Sequence, residues 1–414
     1  MLRLVDAADL RPATRKPVDA TALATASEIL EDVRDRGEAA VREHAERLGD
    51  RQPGEPLILG VEELQRSLRT LDEADRTLLE RTADRIRRFA EAQRECLLPL
   101  ETEVPGGRAG HRWLPVSGAG AYAPGGRYPL PSSVLMTVIP ARVAGVESVV
   151  VASPRPNTLV CAAAAVAGAD SLLAIGGAQA IGALAFGTLT ERADVVVGPG
   201  NRFVTAAKQL LVGEVGIDGL AGPSELVVLA DEEACPRTIA ADLLGQAEHD
   251  ADAVPILIST SRSVVASVQE ELLRQLETLP TAETASTALD HNGRAVVVDD
   301  LEAAARLSDA LAPEHLQLLV SDPGPLVNRL RNYGGLFVGS KSAEVFGDYG
   351  LGPNHVLPTG GGARFQAGLS VATFLRASTW LEIDDASLVT DEVSRFARLE
   401  GLEAHARAAE QRHF

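Results

Sequence analysis

Gln246 and His249 stand three residues apart in Asp242-Leu-Leu-Gly-Gln-Ala-Glu-His-Asp250, a stretch with helical spacing. They therefore share one face, while Leu243 and Leu244 turn toward a core. A carboxamide oxygen and an imidazole on one face make half of a shell for zinc or manganese where no thiolates are at hand. Such a pair also lines many solvated helix faces, so the remaining ligands must come from elsewhere. In Ala312-Pro-Glu-His-Leu316 an acid and an imidazole precede an apolar run that reads as a buried strand, the place where α/β proteins put catalytic groups. Glu314 and His315 can do general acid and base work near neutrality, where imidazole titrates unperturbed. A third candidate is GDYGLGPNHVLPTGGGAR, residues 347 to 364. Its density of Gly and Pro around Asp348, Asn354 and His355 suits ligand binding better than packing alone.

The elements that must position these groups are legible from periodicity. Ser148–Ala152, Ser171–Ile175 and Ala193–Val197 read as buried strands alternating with helices at 158–167, 178–186 and 202–212. A second set follows at 225–230, 254–259, 295–298, 316–320 and 335–339. Continuous apolar strands alternating with helices mean parallel sheets covered on both faces. Gly118-Ala-Gly-Ala-Tyr-Ala123 formally fits a dinucleotide fingerprint, but Pro124-Gly-Gly-Arg-Tyr-Pro129 stands where the helix should begin. It reads instead as a Gly-rich loop, either a close approach to a ligand with Tyr122 stacked on it or a plain surface loop. Gly176-Gly177 before Gln179, and Gly198-Pro-Gly-Asn201 before the next helix, gather backbone amides at the carboxyl edge of the first sheet, a credible nucleotide site. No acidic residue to grip a ribose is identifiable by spacing. Residues 20 to about 98 read as charged helices interrupted near Leu57-Ile-Leu, and the end from about Ser387 as a charged helix that must dock to be stable. His44, His111, His291 and His413 fall outside every motif and read as surface or loop residues.

At 414 residues the chain is long enough for two or three domains, and 45% hydrophobic with 23% charged residues describes a folded globular protein. A net charge of −19 repels phosphate backbones and anionic membranes, which argues against a nucleic-acid or membrane partner. Cys96, Cys161 and Cys235 are too few and too scattered for a disulfide framework or a thiolate metal cluster, and a reducing cytoplasm suits them. The first residues carry acids where a signal peptide needs an apolar run, and the longest apolar segment, Leu159 to Ala169, is too short to span a bilayer.

The stretches GAYAPGG, IGGAQAIGALAFGT, VGPGN, VGIDGLAGPSE, DLLGQAEHD, APEHL, GDYGLGPNHVLPTGG and EGLEAH, in this order over nearly the whole chain, resemble histidinol dehydrogenases. The resemblance implies a zinc-dependent, NAD-linked four-electron oxidation of L-histidinol via L-histidinal to L-histidine, the last steps of histidine biosynthesis. It implies Gln246, His249, Asp348 and His405 as ligands of one zinc per site, and Glu314 and His315 as the acid and base. Ser224, His355 and Glu400 become further substrate contacts beside His315 and the zinc ligands, and Tyr122, Gln179 and Asn201 become NAD contacts. It also implies a cytoplasmic homodimer whose exchanged tails complete the partner's site. The expected fold is two Rossmann-like α/β domains, each an incomplete doubly wound parallel sheet, one inserted in the other, with helical amino- and carboxyl-terminal segments. Residues 1–19 would be the amino-terminal segment, 20–121 and 224–368 the larger domain with the metal and catalytic site, 122–223 the inserted NAD-binding domain and 369–414 the helical tail. Departures from the family pattern occur at Asp194-Val-Val-Val197, Gln317 and Gln366-Ala-Gly-Leu-Ser370. They leave open a related zinc and NAD alcohol dehydrogenase acting on another amino or hydroxy alcohol, and a non-catalytic binding paralogue.

Overall fold

The computed structural model describes residues 1–10, 18–125 and 129–412. The chain starts with β1 (Arg3–Leu4), α1 (Ala20–Arg36), α2 (Glu38–Arg47), β2 (Ile58–Gly60), α3 (Val61–Thr70) and α4 (Glu73–Glu95). Asp19 and Asp72 cap α1 and α4 by accepting N–H bonds from Ala22 and Asp75, which satisfies donors that a helix start leaves orphaned. In α4, Leu79, Ala83, Ile86 and Ala90 form the buried stripe. A hairpin of β3 (Leu100–Val104) and β4 (Gly107–Pro115) leads to β5 (Gly118–Tyr122), α5 (Pro131–Ala144), β6 (Ser148–Ala152), α6 (Thr158–Ala167), β7 (Ser171–Leu173), α7 (Gly177–Phe186), β8 (Val195–Val197), α8 (Arg202–Leu210) and β9 (Gly216–Ile217).

These strands build a sheet of order β2-β7-β6-β5-β8-β9, parallel except where β2 meets β7. Successive side chains leave a strand on opposite faces. Val149 and Val151 accordingly join the core under α3 to α6, while Val150 and Ala152 join the one under α1, α2, α7 and α8.

The second half runs β10 (Glu225–Ala230), α9 (Pro236–Ala247), β11 (Val254–Ser259), α10 (Arg262–Leu276), α11 (Ala282–Asn292), β12 (Arg294–Val297), α12 (Leu301–Leu311), β13 (His315–Leu319), α13 (Gly324–Arg329), β14 (Gly335–Val338) and α14 (Glu344–Asp348). Its all-parallel sheet has the order β1-β12-β11-β10-β13-β14. Leu226 and Val228 face one core, Val227 and Leu229 the other. Both sheets thus wind outward from their first long strand in the same sequence, third, second, first, fourth, fifth, a repeat invisible in the residues themselves.

Three expectations need correction. Gly118–Tyr122 is no loop but β5, a wholly buried central strand, and Gly120 is there because a side chain would collide with Leu184 of α7. Residues 20–121 do not join 224–368: β2 and β5 belong to the first sheet, and α1 to α4 pack on helices of that sheet. Composition could mark these helices but not the sheet they cover. The tail is not helical throughout, since β15 (Leu375–Ile383) pairs with β4 over nine residues in an antiparallel sheet with β3, before α15 (Thr390–Leu399) and α16 (Glu403–Glu410). Among the described residues no helix is long and apolar enough to cross a membrane, and the three cysteines are unpaired.

Candidate active site

Helix α12 ends at Ala312, a non-glycine residue at φ 52°, whose N–H returns to the Ser308 carbonyl at 2.8 Å. That reversal, followed by Pro313, delivers Glu314 and His315 to the amino end of β13, beside the amino end of β10. His315 Nδ1 lies 3.0 Å from the Glu225 carbonyl. A carbonyl only accepts, so Nδ1 carries the proton and Nε2 holds the lone pair. Nε2 is buried without a hydrogen-bond partner and lies 4.0 Å from Asp348 Oδ1. Burial pushes the imidazole down to about 4 against the opposing pull of Asp348, which leaves it neutral at pH 7. The Glu314 carboxyl accepts the Glu225 N–H at 2.8 Å and sits 3.6 Å from His315 Nδ1. Desolvation raises it well above the usual carboxylate range. The carboxyl edge of the same strands, where such sheets usually bind ligands, is closed instead by Asp231, which accepts from the Ser321 N–H and hydroxyl at 2.6 and 2.7 Å.

Donor groups for a cation gather over the same spot. Gln246 is fully buried on α9, and His249 follows one turn later, just past the helix end. Helix α14 supplies Asp348 and, one turn earlier, Glu344, a buried acid that pattern reading missed. Ligand atoms of His249, Glu344 and Asp348 all lie within 4.8 Å of one another. An imidazole, carboxylates and a neighbouring amide suit zinc or another borderline divalent ion, so the residues present fit the implied metal. The signal that could have exposed Glu344 is its four-residue spacing from Asp348 on one helix. His355 Nδ1 faces the Asp348 carbonyl and Nε2 the Ser133 hydroxyl of α5, each at 3.2 Å, so it ties the second sheet's site to the first sheet's helix. Burial lowers its pKa. Ser224 is half-buried immediately before Glu225. A cavity of about 930 Å³ opens here, lined among others by His315, Phe337, Asp348 and His355.

A separate cleft of about 400 Å³ is lined by Tyr122, Gln179 and Asn201 together with Asp50, Arg155 and Gly177. It sits at the carboxyl ends of β5 and β8, where the strand order reverses and such sheets take nucleotides. Tyr122 is buried, its hydroxyl accepts from the Gly177 N–H at 3.3 Å, and desolvation lifts its pKa to about 12. Gln179 donates to Asp50 at 3.4 Å and leaves its own buried oxygen unpartnered. Asn201 caps α8. Gly198 is required at φ 108°, because a Cβ there would stand 2.0 Å from the Tyr122 carbonyl oxygen. Asp50, from the segment after α2, is the cleft acid that spacing could not find. It holds the Gly176 N–H at 2.9 Å.

Glu400 and His405 are not brought to either place. Both are exposed, and α15 packs mainly on α16. Of the remaining histidines, His44 is half-buried rather than exposed, bonded to Asp32 at 2.8 Å and Arg47 at 2.9 Å. His111 meets Trp113 edge-on and His291 is exposed, while His413 lies outside the described residues, as do Gly126 to Tyr128.

The histidinol dehydrogenase family model matches residues 13–413. A histidinol dehydrogenase of Parasynechococcus marenigrum is 45% identical over 392 residues, covering 93% of this chain and 89% of its own length. One from Thermus thermophilus is 46% identical over 394 residues, covering 93% of each. The crystal structure of histidinol dehydrogenase from Elizabethkingia anophelis superposes with a TM-score of 0.90 at 32% identity, covering 97% of this chain and 94% of that one. A match of this extent in both residues and backbone leaves one assignment: the chain belongs to the histidinol dehydrogenase family.

Proposed function

We propose that the chain oxidises L-histidinol via L-histidinal to L-histidine, reducing two NAD at a site that holds one zinc. The observation that carries this reading is the unpartnered Nε2 of His315 beside the His249, Glu344 and Asp348 cluster at the 930 Å³ cavity. Gln246, His249 and Asp348 would hold the ion. When bound, zinc supplies a Lewis acid that orients the substrate's amine and imidazole, and NAD supplies the hydride acceptor.

His315 is neutral, with its lone pair on Nε2, so it can take the hydroxyl proton as hydride leaves the carbinol carbon. Its Nδ1–H bond to the Glu225 carbonyl keeps the ring in that tautomer. The second oxidation needs the hydrated aldehyde. Glu314 is the acid beside His315, and desolvation raises its pKa, so that its carboxylate, once it has given up its proton, is a stronger base toward water than an ordinary one. Ser224 and His355 would contact the substrate, and Tyr122, Gln179 and Asn201 the NAD. Glu400 and His405 would come from the partner of a homodimer, His405 completing the zinc shell. The exposed Phe396, Leu399 and Leu402 support docking of the tail on such a partner. A cytoplasmic enzyme of histidine biosynthesis suits the three unpaired cysteines.

The departures from the family pattern do not favour another alcohol. Gln317 is buried and donates to the carbonyls of Gly339 and Ser342, Asp194 accepts from the Ser117 and Gly118 N–H groups, and Gln366 donates to the Asp218 carbonyl. All three brace loops. Purified protein given L-histidinol and NAD should form two NADH per substrate consumed; no NADH, or one with accumulating aldehyde, overturns the proposal.

A further inference from the structure

We infer that Glu344 is a positioning residue which, with the Glu225 carbonyl, turns the Gln246 carboxamide so that its nitrogen faces these acceptors and its oxygen takes the opposite end. The inference rests on reading the His249, Glu344 and Asp348 cluster as a metal site. One end of the Gln246 amide lies 3.1 and 3.3 Å from the two carboxylate oxygens of Glu344 and 3.3 Å from the Glu225 carbonyl oxygen. A carbonyl accepts and never donates. An amide oxygen placed there would face oxygens in a site where Gln246 is 0% and Glu344 4% exposed, and unpaired buried polar groups are costly. The NH2 therefore occupies that end and donates.

The consequence for metal binding is direct. A carboxamide binds a hard or borderline cation through oxygen, because its nitrogen lone pair is delocalised into the carbonyl. Which way Gln246 faces decides whether it is a ligand at all. Helix α14 thus has two tasks one turn apart: Asp348 offers a carboxylate, and Glu344 orients an amide on a different helix. It also accounts for a glutamine at 246, since a glutamate would set two carboxylates about 3 Å apart in a dry site.

The rival is that Glu344 is itself a ligand, because one of its oxygens is within 4.8 Å of the donor atoms of His249 and Asp348. A swap separates the two. Gln246→Glu puts oxygen at both ends of residue 246, so zinc affinity should fall about 10- to 100-fold despite the better donor. Adding Glu344→Gln returns a donor facing an acceptor, and affinity should come back to within a few-fold of the parent. Both are read on the full-length protein by zinc competition against a chromophoric chelator and by the cobalt(II) absorption spectrum, whose parent form should reappear only in the double variant. Gln246→Glu binding zinc as tightly as the parent, or a double variant no better than the worse single one, overturns the inference while leaving the metal site standing. A parent chain that binds neither zinc nor cobalt removes the metal reading and the inference with it.

Discussion

His315 meets the cavity with one ring nitrogen committed to the Glu225 carbonyl and the other free to accept. Its truncation would therefore delete the proposed base without touching His249, Glu344 or Asp348. His315→Ala should lower kcat about a hundred- to ten-thousand-fold with zinc content near the parent's, measured by steady-state NADH formation and metal analysis. Glu314→Gln should slow oxidation of L-histidinal more than that of L-histidinol in single-turnover experiments, and equal losses would remove the proposed division of labour. Asp242 offers a pH test. Its Oδ2 is buried without a partner, and desolvation raises the carboxyl to about 6. A folded-state pKa above the ordinary 3.8 means that the neutral acid is favoured by folding. That contribution is complete below about pH 4 and lost as pH rises through 6. Asp242→Asn should then raise the Tm of the metal-free protein at pH 7, on the order of 2–4 °C per kcal/mol, with the difference vanishing toward pH 4.

At the scale of elements, the turn between β8 and α8 is held on three sides. The Gly198 N–H donates to Asp218 at 2.6 Å, the buried Lys208 donates to the Gly198 carbonyl at 3.1 Å and pairs with Asp218, and Tyr122 backbone leaves no room for a side chain. A Cβ at this positive φ must shift the turn and with it Asn201. Gly198→Ala should lower Tm and raise KM for NAD about tenfold or more, since small misplacements of a binding loop are costly. KM for L-histidinol should change little, because the donors sit on α9 and α14 of the other sheet. A parallel rise in both values would mean that the two clefts are not separable.

For the whole molecule, the two closing helices, α15 and α16, pack mainly on each other. Phe396 and Leu399 are 64% and 77% exposed, and Glu400 and His405 face solvent. If a partner's tail completes each site, a His315→Ala chain and a His405→Ala chain are each inactive alone. In a mixed dimer both lesions fall in one site and the other is wholly native, so activity should return on subunit exchange to roughly a quarter of the parent's, counting one native site in half of the dimers. Mixed dimers without activity would show that His405 serves its own subunit. Dialysis against a strong chelator should likewise abolish turnover, with zinc restoring it.

The residues by themselves determined that this is an α/β chain and where most strands lie, since Glu225–Ala230, Val254–Ser259 and Ser148–Ala152 form where the apolar runs predict. Local sequence dictates whether a segment can be buried on both faces, and motif order was specific enough to indicate the family. It also paired Gln246 with His249 and Glu314 with His315. Only the tertiary structure decided what lies across space from each group. Gly118–Tyr122 looked like a loop because its small residues carry no strand signal of their own; β6 and β8 on either side make it one. Nothing in the sequence singled out Glu344 or Asp50, which are buried, because charge in a sequence says nothing about burial. Glu314 and His315 sit at the amino edge of their sheet and the cleft of Tyr122, Gln179 and Asn201 at the carboxyl edge of the other, an arrangement set by how the sheets pack, and packing between distant segments leaves no periodic trace along the chain.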